Sequence, residues 1–179
     1  GFFKGVTNAQ LRTVPACWVC NNGASSDDED MRFYISAQIG KQNPASKVLW
    51  DDGAYKTRKR KIKLRNSFLA NVREIEVLEE DGSIKTRLAF HVPISTYQRV
   101  FERTRRGLYF FHTGRILPAN VAVSATVLAG TPNMDTDDIR HFKMESVGAG
   151  ACVYRYGIVH DDVDCSLWIY EFHQAHWAL

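Results

Sequence analysis

The chain has 179 residues, 45% of them hydrophobic, with a net charge of +3 from 23 Lys and Arg against 20 Asp and Glu. That length suits one compact domain or one domain with a small appendage, and no run approaches the roughly 18 apolar residues that a membrane-spanning helix needs. Gly1-Phe2-Phe3-Lys4 lacks the charged, then apolar, then small layout of a secretory signal, so a cytoplasmic location and reduced cysteines are expected.

Residues 1–24 show little periodicity and end in the turn formers Asn21-Asn22-Gly23. Ser26-Asp27-Asp28-Glu29 reads as a capping box that opens a helix. Met31, Tyr34, Ile35 and Ile39 lie on one face of that helix, which is expected to stop near Gly40. Asn43-Pro44 starts a second helix, interrupted around Asp51-Asp52-Gly53. A third begins near Tyr55 and carries Lys56, Arg58, Lys59, Arg60, Lys61, Lys63 and Arg65, +7 within ten residues, leaving −4 for the rest of the chain. Its apolar residues Ile62, Leu64, Phe68, Leu69 and Val72 spread over about half the helical wheel, so the cations surround the stripe rather than oppose it. Such a run is either a solvated helix face or a diffuse phosphate-binding surface.

Val72 to Leu78 alternates, Glu80-Asp81-Gly82-Ser83 turns, and Ile84 to Val92 returns as the second half of a hairpin. Ser95-Thr96-Tyr97-Gln98 reads as another capping box. The helix after it is the cleanest amphipathic one in the chain, with Tyr97, Val100, Phe101, Thr104, Leu108 and Phe111 within about 100° of one another and a left-handed cap at Gly114. Arg99, Arg103, Arg105 and Arg106 fall mostly off this stripe, either solvated or extending the basic surface. The last third is strand-like over Val121–Leu128, His141–Val147, Cys152–Val159 and Cys165–Phe172. The expected class is α+β: N-terminal helices after a CxxC turn, then a mostly antiparallel sheet with one long amphipathic helix. Organisation is read as residues 1–40 followed by an α+β domain over 41–179, or as one continuous domain.

The run Val14-Pro15-Ala16-Cys17-Trp18-Val19-Cys20-Asn21-Asn22-Gly23 through Glu29 resembles a stretch of bacterial and phage HNH-endonuclease family proteins, where it follows the first half of the nuclease motif. The likeness continues more loosely through Arg106–Gly114 and Trp168–Phe172. It implies that Cys17 and Cys20 are half of a zinc knuckle, since a structural zinc site needs four ligands and the family's second CxxC lies upstream. Cys152 and Cys165 are the other thiols this chain offers. The resemblance also implies a histidine general base before the knuckle and a divalent metal such as Mg²⁺. No histidine precedes Cys17; the first is His91. Asn21 is then the one possible remnant of the metal-ligating motif, and residues 1–40 the remnant of the knuckle segment. Gly rather than Met at position 1 adds the expectation that the native start lies upstream.

Among the remaining histidines, His160-Asp161-Asp162 with Asp164 gathers donors of the metal-binding kind, although an acidic loop is the plainer reading. Two functional readings follow. One is a catalytically incomplete HNH-like protein that binds DNA or a nucleic-acid-processing complex through Lys56–Arg65, becoming a metal-dependent endonuclease only if an upstream segment completes it. The other is a phage-type inhibitor, in the manner of an anti-CRISPR protein, that docks on a host protein complex through the aromatic residues of the C-terminal sheet. Homo-oligomerisation is compatible with either.

Overall fold

The computed structural model describes residues 13–37, 43–51, 61–79, 81–128, 139–148, 150–159, 161–162, 164–174 and 176–179. In chain order they form α1 (Trp18–Asn22), α2 (Ser25–Ser36), α3 (Pro44–Leu49), α4 (Ile62–Asn71), β1 (Val72–Leu78), β2 (Ile84–Phe90) and α5 (Ile94–Thr113). These are followed by β3 (Val127–Leu128), β4 (Lys143–Val147), β5 (Cys152–Ile158), β6 (Ser166–Phe172) and β7 (His176–Ala178). The class is α+β, with a two-stranded β1–β2 ribbon and an antiparallel five-stranded sheet in the order β3-β7-β6-β5-β4.

The helix starts separate true caps from look-alikes. At α3, Asn43 Oδ1 accepts from Ser46 N at 2.8 Å and Pro44 fills the first turn, as expected. At α2 the expected capping box does not form. The cap position is Ala24, whose carbonyl accepts from Asp28 N at 3.0 Å, and Ser26 already lies inside the helix. Helix α1 ends just upstream, so no extended residue remains to serve as a side-chain cap. Helix α5 is displaced in the same way. Pro93, with φ of −61°, occupies its cap position and accepts from Thr96 N at 3.1 Å, leaving Ser95 inside the first turn. The far end of α5 matches the reading: Gly114 has φ of +69° and its N–H donates to Phe110 O at 2.8 Å.

Alternation along β5 and β6 sends Cys152, Tyr154, Tyr156, Trp168, Tyr170 and Phe172 to one face. Register places Tyr156 opposite Trp168 and Tyr154 opposite Tyr170, making an aromatic ladder. Tyr97, Val100, Phe101 and Tyr109 of α5 pack on that ladder together with Met31 and Ile35 of α2. The sheet aromatics that the sequence offered as a docking surface are therefore the core. A second cluster joins Phe33 and Tyr34 to Trp50, Leu64, Phe68, Phe90 and Val92, so α2 contributes to both.

The inward row on α5 follows four-residue spacing, with Tyr97, Phe101 and Tyr109 buried and Arg105 half-buried between them. Each step of four advances about 40° around the helix, so the row drifts away from the stripe read in the sequence. Phe111 is left 39% exposed, while Tyr109 is fully buried.

Candidate functional surface

The Cys17–Asn21 backbone closes a helical turn, Asn21 N donating to Cys17 O at 3.0 Å. Cys17 and Asn21 are exposed; Cys20 lies in α1, and its side chain falls outside the described residues. The other two thiols do not come together. Cys152 opens β5 opposite Phe172, whereas Cys165 precedes Ser166, which pairs with Ile158 at the other end of that ladder. Seven strand residues separate these ends by roughly 20 Å. Burial, then the nearby Glu171, pushes the Cys152 thiol up to about 12. Among the described residues no group of three or more His, Cys, Asp and Glu is placed to hold a metal.

The acidic run of α2 has a different use. Arg99 of α5 clamps Asp27 with two parallel bonds, Nε to Oδ2 and Nη2 to Oδ1, both at 2.8 Å. Arg103 reaches Asp27 at 3.5 Å and Asp28 at 2.6 Å. Lys61 Nζ meets Asp30 at 2.7 Å, Glu29 at 3.3 Å and the Ser26 hydroxyl at 3.1 Å. Cations of two other segments are thus drawn onto the first turns of one helix, close to its N-terminus where acids are favoured. The Arg99 hydrogen bond chiefly holds the Asp27 carboxyl below the usual aspartate range, against desolvation. For Lys61, desolvation is outweighed by Asp30 and Glu29, and its ammonium is held above the usual range.

A depressed aspartate contributes stability that is present above its unfolded pKa and lost as pH falls through the folded one. Asp27→Asn is accordingly expected to cost about 1 kcal/mol at neutral pH. The deficit should shrink as pH falls below about 4, where the unfolded aspartate protonates. Urea unfolding of both proteins across pH 2–7 checks this; parallel curves would refute the clasp.

The predicted basic surface is therefore partly spent. Lys56, Arg58, Lys59 and Arg60 lie outside the described residues. Lys61 is ion-paired. Lys63 is exposed, and Arg65 is half-buried beside Asn66 at 3.3–3.4 Å. On α5, Arg106 donates to Glu102 and to three backbone carbonyls. Of the metal-like loop, His160 lies outside the described residues; Asp161 and Asp162 are exposed, and Asp162 O accepts from Cys165 N.

His112, near the C-terminal end of α5, is built into the sheet. His112 Nε2 meets Tyr154 Oη and Nδ1 meets Tyr156 Oη, each at 2.9 Å, and its ring stacks on Tyr156. Phenols both donate and accept, so a neutral imidazole satisfies both contacts. Burial, then Glu145, raises the Tyr156 phenol above its ordinary range. This arrangement fastens the end of α5 to the sheet. The Tyr-x-Tyr alternation of β5 was the available signal, but its partner lies 42 residues upstream of Tyr154.

Part of the exposed apolar surface lies on the β1–β2 ribbon; Trp18, Leu69, Ile116 and Met144 are exposed elsewhere. Phe90 roots the ribbon in the second cluster, 4.8 Å from Phe68 and stacked on Tyr34 at 6.1 Å. Register puts Leu88, Ile84 and Leu78 on the same face as Phe90, and all three are about 70% exposed. Among the described residues no helix is long and apolar enough to cross a membrane. Compared with protein-family profiles, with curated proteins and with solved structures, the chain matches none.

Proposed function

We propose that this chain is a non-catalytic binding protein on a degenerate HNH-like scaffold, acting in the cytoplasm by docking on a protein of a nucleic-acid-processing complex. The observation that carries the reading is the ribbon: Leu78, Ile84 and Leu88 stand exposed on the face that Phe90 fixes at its base, interspersed with Glu74, Glu76 and Thr86. An isolated two-stranded ribbon is marginal in water, and a partner covering this face would stabilise it. A phage-type inhibitor of a host nucleic-acid-targeting complex is the sharper form of the reading. The second reading, direct DNA binding, draws on exposed Lys63 beside Arg65 and on the adjoining cations of 56–60, and it predicts affinity that falls steeply with salt.

The tagged chain is expected to retain a stoichiometric protein partner from nuclease-treated lysate. Leu88→Glu should lose that partner at an unchanged melting temperature. Plasmid DNA should stay intact with Mg²⁺, Mn²⁺ or Zn²⁺. Salt-sensitive DNA binding without a protein partner would transfer the conclusion to the second reading. Metal-dependent cleavage abolished at Asn21 would reinstate a nuclease.

A further inference from the structure

Strand β4 is the outer strand of the five-stranded sheet; among the described residues it pairs with β5 on one side and with no strand on the other. Such an edge offers its outward N–H and C=O groups to another chain, and folds usually blunt it with a proline, a bulge or charge of one sign. Lys143-Met144-Glu145-Ser146-Val147 has no proline, pairs with β5 in unbroken register, and carries one charge of each sign. Lys143 is exposed, Met144 is 60% exposed and Glu145 is half-buried.

In a symmetric antiparallel pair of identical strands, residues on one face meet residues of that same face. The ribbon strands cannot match opposite charges in this way. Strand β1 has only acids, Glu74 and Glu76, on one face and only Arg73 on the other; β2 has only the cations Lys85 and Arg87. Strand β4 can, because Lys143 and Glu145 share a face on either side of Met144. With the two-fold axis at Met144, each Lys143 lies opposite the other copy's Glu145, and the two exposed Met144 side chains meet on the opposite face. An axis at Glu145 or Lys143 would instead oppose like charges, which fixes the register.

We propose that β4 is a self-association edge, through which two copies of this chain pair antiparallel about Met144 and join their five-stranded sheets into one. The inference uses no ribbon residue and does not depend on the docking proposal. Five-residue edges cover less than the roughly 1,200 Å² of a standard interface, so a weak dimer is expected, with a Kd on the order of 100 μM.

Sedimentation equilibrium of the full chain, from about 10 to about 500 μM at low salt, tests this. Mass should rise toward the dimer. Lys143→Glu and Met144→Lys each oppose like charges at the contact and should weaken association at least about tenfold. Lys143→Glu combined with Glu145→Lys exchanges the signs and should recover the parent's affinity. Leu88→Glu should dimerise as the parent does. Melting temperatures report whether each variant is folded; if the exchanged pair fails to fold, the two single variants at exposed positions decide alone. A chain that stays monomeric throughout, a dimer that survives both single variants, a folded exchanged pair as weak as Lys143→Glu, or a dimer lost in Leu88→Glu would each overturn the edge.

Discussion

Phe101→Ala is expected to lower the unfolding free energy by about 3–5 kcal/mol in urea denaturation, while Phe111→Ala on the same helix should cost less than about 1 kcal/mol. Phe101 is 3% exposed and packs between helix and sheet, its ring centroid 5.9 Å from Tyr97, 5.1 Å from Tyr170 and 6.0 Å from Phe172. Truncation removes the ring that joins α5 to β6. It also opens a hole continuous with a cavity of about 140 Å³ that Phe101 already lines, so the surroundings have little solid wall to collapse against. Phe111 is 39% exposed and loses much less on truncation. A Phe101 variant within 1 kcal/mol of the parent would mean that α5 does not seat on the aromatic ladder.

This contrast shows where sequence periodicity stops being informative. The apolar stripe identified α5 as the helix that packs, because apolar side chains must leave water wherever the partner lies. It did not identify the inward row, which drifts with four-residue spacing and buries Tyr109 while releasing Phe111. Strands β5 and β6 were legible because alternation reports a sheet with one covered face. Strand β7 was not legible: His176-Trp177-Ala178 is three residues long and exists through its pairing with β6. The turn between them places His173 and Gln174 at positive φ, 52° and 59°, and neither residue type announces that conformation as glycine would.

Charge was the least legible feature. The +7 run is visible to counting, yet the acids that meet Lys61 lie 31 and 32 residues earlier in the chain, and Arg99 and Arg103 reach back 72 and 75 residues to Asp27 and Asp28. A local charge balance cannot register such pairs. The acidic run of α2, which carried much of the family resemblance, is accounted for here by the clasp it makes with α5 and Lys61. The resemblance and the clasp are compatible, but only the clasp is built from distances.

Arg106→Met should cost about 2–3 kcal/mol, the second large effect, and it separates a structural cation from a phosphate-binding one. Arg106 Nη1 donates to Leu117 O at 3.2 Å and Pro118 O at 3.0 Å; Nη2 donates to Val121 O at 3.1 Å and, with Nε, to Glu102 at 3.2 Å. The segment after α5 runs irregularly from 114 to 126, so these carbonyls have no sheet ladder to satisfy them and the guanidinium takes that role. Methionine preserves the packing of the stem and removes the donors. Arg106→Lys should recover only part of the loss, because a point ammonium cannot span three carbonyls as a planar fork does. Urea unfolding gives the magnitudes, and faster amide exchange at Val121, whose N–H bonds to Pro118 O at 3.1 Å, locates the damage. If DNA binding is detected, its salt slope should be unchanged in Arg106→Met, since this charge is occupied within the fold. A slope reduced by about one unit, with stability intact, would instead return Arg106 to the nucleic-acid surface.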